Sequence, residues 1–299
     1  NINPEDLKSP IEGIGDYDYN ASYYEIINGL NNKNAKYSKV IDFLWKDEEY
    51  EKIISNHKYL NILKSYTGSK YKDMNNLLRS SFKSFSDNLP VDVKSIKESD
   101  VHKMSSVFDD IKPLSQPLWV YRSTVLPENV EKIIKAGEDF VDPAFLSTSI
   151  RPNLNFVSDS NKTLFRIFLP KGSKVIPILN ESRHANENEI ILPAFSILKI
   201  IRLDEYNYLN DSTNKENKSF LITCIFVGSV YKDFIEKLSK NTINENKLIL
   251  IETNKKEKYD PKDKFELKTD AKTLIKASEF ARKITRLKKE KNYLSNKTQ

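Results

Sequence analysis

Asn186-Glu187-Asn188-Glu189-Ile190-Ile191-Leu192 is a Glu-x-Glu pair running straight into an apolar, β-prone segment. In an extended strand residues i and i+2 share a face, so the spacing predicts both carboxylates on one side, roughly 7 Å apart along the strand. Two like charges at the mouth of an apolar strand are costly to bury and easy to leave solvated. In a chain that is 30% charged, the plain reading of the pair alone is an exposed strand start. Three earlier stretches change that reading.

Upstream of the pair, short β-prone segments recur at 118–122, 144–150, 163–169 and 174–178, and the pattern continues at 189–192, 196–202 and 219–227. One helical stretch, near 127–136, interrupts them. Trp119-Val120-Tyr121-Arg122 puts an arginine at a strand end. In Phe145-Leu146-Ser147-Thr148-Ser149-Ile150, alternation puts Ser147 and Ser149 on one face and Thr148 on the other. Hydroxyls buried in a strand need partners, and a carboxylate from a neighbouring strand is a natural one. Two polar loops follow, one carrying Arg151 and Phe156, the other running over 179–188 into the Glu-x-Glu pair.

Before Pro113 and Pro117 the spacing is helical. Tyr24, Ile27 and Leu30 follow one stripe, and Val40, Phe43 and Leu44 another, within four to six expected helices. Residues 1–20, with Pro4, Pro10, Gly13 and Gly15, read as an irregular lead-in. Gly13-Ile14-Gly15 lacks the third glycine and the preceding strand of a dinucleotide fingerprint. In Tyr66-Thr67-Gly68-Ser69 a glycine ends one helix and Ser69 can cap the next. On that next helix Asn75 and Arg79 are i and i+4 and share a face, with Met74, Leu77 and Leu78 facing the core. An amide beside a guanidinium could hold a phosphate or ribose, but spacing alone favours a plain polar helix face.

After 240 the chain is polar, apart from a short strand candidate at 248–251. Then Leu274, Ala277, Ala281, Ile284 and Leu287 recur at helical spacing among Arg282, Lys283, Arg286, Lys288, Lys289 and Lys291. The ordinary reading is a helix packed on the body with a solvated charged face. Contact with a partner, an anionic membrane surface or a nucleic acid is the less favoured alternative. The whole pattern predicts an α+β fold: a helical lobe over 1–115, a mostly antiparallel two-sheet sandwich over 116–240, and a C-terminal extension with a basic amphipathic helix over 241–299.

Composition narrows the function classes. A net charge of +6 on 299 residues is far from a strong nucleic-acid signature, and no nucleic-acid partner is expected. The single Cys224 excludes an internal disulfide and a cysteine-based zinc site, and His57, His102 and His184 are too scattered for a metal. No apolar run is long enough to span a membrane. The chain starts at Asn1 and reads as a fragment or processed product, so the lack of a signal peptide says nothing about secretion.

Tyr-Arg at a strand end, Ser-Thr-Ser on the next strand and then Glu-x-Glu resemble the Arg-Ser-Glu class of mono-ADP-ribosyltransferases, the class of many bacterial toxins and effectors. The segment from Tyr66-Thr67 through Asn75 to Arg79 resembles the helical NAD-contacting motif of the exoenzyme branch. The resemblance covers about residues 60–230 in the expected order.

It implies an NAD-binding β-sandwich core with NAD as cosubstrate and no metal. Arg122 would hold the NAD diphosphate, with Asn75, Arg79 and Thr67 contributing from the helical lobe. Ser147 would orient Glu189, the catalytic carboxylate, while Thr148 and Ser149 support the nicotinamide end. Arg151 would be a phosphate contact and Phe156 a nicotinamide stacker. Glu187, standing where relatives carry glutamine, resembles the arginine-modifying subgroup. The implied enzyme is an NAD–protein-arginine ADP-ribosyltransferase, secreted or delivered into a target cell and acting on a protein in its cytoplasm. An NAD glycohydrolase on the same site and a non-catalytic binding module using the basic helix are the alternatives.

The chemistry points the same way. Breaking the ribose–nicotinamide bond develops positive charge on the sugar, as in glycoside cleavage. An ionised carboxylate there stabilises the charge as it appears, and a second one nearer the loop can orient an incoming guanidinium.

Overall fold

The computed structural model describes residues 56–127, 134–150, 163–178, 189–210, 215–245 and 270–297. Helices come first: α1 (His57–Ser65), a π-helical turn (Tyr66–Lys70), α2 (Tyr71–Ser86), α3 (Val93–Glu98) and α4 (Asp100–Asp110). Gly68, with ψ −111°, breaks the helical path inside the turn, as the glycine there suggests. Ser69 does not cap the next helix: α2 starts at Tyr71 without a side-chain cap, because the π-helical turn carries the backbone straight into it. The two helices after α2 are capped by the expected residue types. Asp92 accepts from Ser95 N at 3.0 Å at the start of α3, and Ser99 accepts from Val101 N at 3.2 Å at the start of α4.

Eight strands come next among the described residues: β1 (Leu118–Thr124), β2 (Asp139–Val141), β3 (Leu146–Ser149), β4 (Thr163–Leu169), β5 (Ile176–Pro177), β6 (Glu189–Leu192), β7 (Ser196–Asn210) and β8 (Lys215–Ser229). They lie in the order β2-β7-β8-β4-β1-β3-β6-β5. All the pairings are antiparallel except β4 with β8, which is parallel. The expected two sheets are replaced by one continuous hydrogen-bonded sheet. Its narrowest point explains the difference. The five-strand half ending in β1 meets the three-strand half beginning with β3 through a single register pair, Tyr121↔Ser149. Alternation along a strand reports which side is buried, not which strand lies alongside, so the sequence pattern is the same for both arrangements.

β4 is buried along its whole length between β1 and β8. Its one charge, Arg166, donates to Thr223 Oγ1 at 3.1 Å and lies 5.3 Å from the centre of the Trp119 ring. Two helices complete the described fold, α5 (Tyr231–Glu245) and α6 (Ala271–Lys297). Phe195, in the turn from β6 to β7, takes the left-handed conformation at φ 55°, unusual for a bulky side chain. Its ring is held 4.6 Å from Phe234 and 5.4 Å from Phe82, so α2 and α5 grip the turn after β6.

α6 starts on a cap, with Thr273 N donating to Asp270 at 2.8 Å. Leu274, Ala277, Ala281 and Ile284 of the expected stripe are buried, but Leu287, its fifth member, is exposed. Ser278 Oγ accepts from Val141 N at 3.1 Å, so α6 braces the β2 edge of the sheet. No helix among the described residues is long and apolar enough to cross a membrane. The helices expected over 21–55, part of the stretch near 127–136 and the strand candidate at 248–251 lie outside the described residues.

Candidate active site

The narrow joint between β1 and β3 is where the motif residues meet. β6 pairs with β3 so that Ser149 is opposite Glu189, Thr148 opposite Ile190 and Ser147 opposite Ile191. Residues opposite each other in an antiparallel ladder share a face, so Glu189 lies beside Ser149, with Ser147 one step along the same face. The alternation read from sequence holds. Thr148 is buried and donates to Ile190 O at 2.6 Å, while Ser147 and Ser149 are half-buried. Glu189 is only 7% exposed, so the carboxylate is not the solvated strand start of the plain reading.

Arg122, one residue past the Tyr121↔Ser149 pair, turns its guanidinium back to Ser147. Its Nη1 donates to the Ser147 carbonyl at 2.8 Å. Tyr66 approaches the same serine from the π-helical turn, with its hydroxyl 3.3 Å from Ser147 Oγ. Burial pushes the Tyr66 phenol far above its ordinary value, and the Glu189 charge pushes the same way, so the ring stays a neutral hydrogen-bonding group.

α2 supports this arrangement from behind. Asn75 Oδ1 accepts from Phe145 N at 3.2 Å, two residues before Ser147. Arg79 grips Asp142 with both edges of its fork, Nε at 3.1 Å and Nη2 at 2.8 Å, and both side chains are buried. Asp142 also accepts from Ala144 N at 3.1 Å. The favoured plain reading of Asn75 and Arg79 as a solvated polar face does not hold, because the segment leading into β3 covers that face. Burial pushes the Asp142 carboxyl up, but the Arg79 charge and hydrogen bonds outweigh it and hold the group below the usual carboxylate range. Thr67 is buried and donates to Lys64 O at 3.3 Å.

The structure thus brings Arg122, Ser147, Ser149 and Glu189 together, and holds Asn75 and Arg79 against the segment that carries the serines. Glu187, Arg151 and Phe156 lie outside the described residues. Two further residues of this site have no role in the sequence reading. Tyr66 stands in the helical motif, with nothing in its spacing to mark a function. Asp142 has a usable signal: an arginine on the inner side of a helix needs a carboxylate, and Val141-Asp142-Pro143 places one just before the serine strand.

Residues 42–227, more than half of the chain, match the family model described as ADP-ribosyltransferase exoenzyme. No curated protein sequence matches the chain. Among solved structures, Plx2a, an ADP-ribosyltransferase toxin from Paenibacillus larvae, is 17% identical with a TM-score of 0.48, over 64% of this chain and 97% of that one. The enzymatic component C2-I of the C2-toxin from Clostridium botulinum is 24% identical with a TM-score of 0.47, over 61% of this chain and 47% of its own, about half its length. The Clostridium limosum C3 exoenzyme is 19% identical with a TM-score of 0.44, over 61% of this chain and 91% of that one. These likenesses are too distant to assign an acceptor. The family match spans the helical motif, the arginine strand, the serine strand and the glutamate strand in one run, and on it the chain belongs to the ADP-ribosyltransferase exoenzyme family.

Proposed function

We propose that this chain transfers ADP-ribose from NAD to an arginine of a protein inside a target cell. The observation that carries the reading is Glu189: a buried carboxylate beside Ser149, at the joint where Arg122 and Ser147 also meet. ADP-ribosyltransferases use NAD as cosubstrate, and the donor set here suits a dinucleotide. Arg122 has five N–H donors. The Ser147 carbonyl takes one of them, and the side chain stays half-buried, so the guanidinium is aimed without being sealed off. A diphosphate is the ligand that such a fork holds in two-point contact.

NAD supplies a glycosidic bond whose cleavage leaves positive charge on the ribose. Glu189 places a fixed negative charge for that moment, and burial strengthens its effect. Ser147 and Ser149 fix the strand beside it, and neutral Tyr66 holds Ser147 without competing for the sugar's charge. Asn75 and Arg79 hold the 142–145 segment and so position the serines. Asn75, Arg79 and Thr67 are the contacts to the dinucleotide that the family's helical motif implies. Arg151 and Phe156 are assigned the phosphate and nicotinamide contacts of the loop after β3. No metal enters this scheme.

Arg122→Ala should raise the NAD concentration needed for half-maximal activity by at least tenfold, the loss of one charge-assisted contact of about 1.5–3 kcal/mol. Its thermal unfolding should stay close to wild type. Equal NAD titrations for the two proteins would make Arg122 a structural residue only.

Support for arginine as acceptor comes from Glu187, an acid two positions before Glu189 in the sequence. Its charge would orient a guanidinium, which neutral glutamine does weakly. Glu187→Gln should therefore abolish label transfer to a guanidino compound while substantial nicotinamide release without acceptor remains. If both fall together, Glu187 belongs to the cleavage machinery. Action in a target-cell cytoplasm after secretion or delivery is the reading that the exoenzyme description of the matched family suggests.

A further inference from the structure

The chain's net positive charge is accounted for by α6. Nine of its 48 Lys and Arg residues lie on α6, against two of its 42 Asp and Glu residues. That surplus of seven exceeds the total of +6, so the remaining 272 residues together carry −1. As far as Arg282, the helix uses its cations against the body. Lys276 pairs with Asp87 at 2.6 Å, Lys272 with the same carboxylate at 3.3 Å, and Arg282 with Glu138 at 2.7 Å. Lys288 makes the last such tie, to Asp233 at 2.9 Å.

The outer half is different. Every side chain described from Arg286 onward is exposed. Lys283, Lys289 and Lys291 are exposed and make no ion pair among the described residues. Large apolar side chains are exposed at four places among the described residues, Leu89, Val227, Leu287 and Tyr293, and two of these fall on this stretch, at 45% and 61% exposure. Their spacing is specific. Leu287 has Lys283 and Lys291 one turn to either side, and Tyr293 has Lys289 one turn before it. Each exposed apolar residue is thus flanked by lysine.

We propose that the outer half of α6 is a docking surface for an anionic lipid bilayer. Lysines flanking a leucine and a tyrosine match the layered chemistry of a bilayer face, where anionic headgroups meet the cations and the headgroup–acyl boundary takes the apolar groups. A nucleic acid would satisfy the charges but gives Leu287 no apolar environment. The buried stripe from Leu274 to Ile284 is already used against the body, so the attachment is peripheral and electrostatic rather than an insertion. This surface lies beyond the family-matched residues and does not depend on the NAD reading.

The test is co-sedimentation of the whole chain with vesicles of phosphatidylcholine alone and of phosphatidylcholine with about a third phosphatidylserine. Binding is expected to the anionic vesicles only, and to fall as salt rises. Each lysine near an anionic surface is worth about a fivefold gain in partitioning. Lys283→Gln, Lys289→Gln and Lys291→Gln combined should then weaken binding about 100-fold, with an unchanged thermal unfolding curve confirming an intact fold. Equal binding to both vesicle types overturns the proposal. Anionic binding that ignores the three lysines overturns it too, as does lysine-dependent capture of a DNA duplex without any vesicle binding.

Discussion

Glu189→Gln should lower both nicotinamide release and ADP-ribose transfer by roughly 100- to 1000-fold, the usual loss when one preorganised electrostatic group is removed from an active site. Glutamine matches the shape of glutamate and can keep a hydrogen bond on the strand, so the change removes charge alone. That charge sits on a side chain only 7% exposed, opposite Ser149, where solvent screens it little. In the proposed reaction it would face the ribose as positive charge develops there, where a neutral amide contributes only a dipole. The ladder from Leu146↔Leu192 to Ser149↔Glu189 is made by backbone groups, so the folded state should survive. The check is steady-state nicotinamide release with unfolding curves for both proteins. Near-wild-type turnover would remove Glu189 from the reaction.

The second large effect is on stability. Asp142→Ala should destabilise the fold by about 3–5 kcal/mol, the range for removing one partner of a buried ion pair. The substitution takes away the carboxylate that both edges of the Arg79 fork grip, and the acceptor of Ala144 N with it. Replacing both partners, Arg79→Met with Asp142→Leu, should recover much of the loss, since no charge is then left buried. Urea unfolding measures both, and a single-variant loss under about 1 kcal/mol would rank the pair with ordinary surface contacts.

The pH dependence has a definite sign. The folded-state carboxyl titrates below its ordinary value, so near that value the unfolded chain binds more protons than the folded one. The pair's stabilisation is fully present above the unfolded value of about 3.9 and is lost as pH falls through the folded one. Wild type should therefore lose more stability than Asp142→Ala on acidification below about pH 4.

The legible part of the fold is the local part. The apolar runs at 163–169 and 189–192 coincide with β4 and β6, because each is short and closed by polar or turn residues. β7 and β8 run well past the expected ends, Ser196–Asn210 and Lys215–Ser229, because their far ends are a polar hairpin held by the backbone ladder and carry no apolar alternation. β2, three residues long, is too short to show any period, although its pairing with β7 makes the edge that α6 braces. The joining of the two halves through Tyr121↔Ser149 is a non-local event invisible to spacing.

The site divides in the same way. Ser147 and Ser149 can be placed on one face because alternation dictates it, whereas Glu189 joins that face only through the register of β3 with β6. The burial of Asn75 and Arg79 cannot be read in this way, since a face is polar and solvated or polar and covered depending on a partner 63 residues away in the case of Arg79. Tyr66 reaches Ser147 across 81 residues, through a π-helical turn that only the Gly68 break hints at.

The most direct measurement incubates the purified chain with labelled NAD and a target-cell lysate, then identifies the modified residue by mass spectrometry, with Glu189→Gln run alongside. The expected result is ADP-ribose on an arginine side chain with wild type and none with the variant. Nicotinamide release with no labelled arginine on any protein would replace the transferase by a glycohydrolase, and label persisting with Glu189→Gln would contradict the site itself.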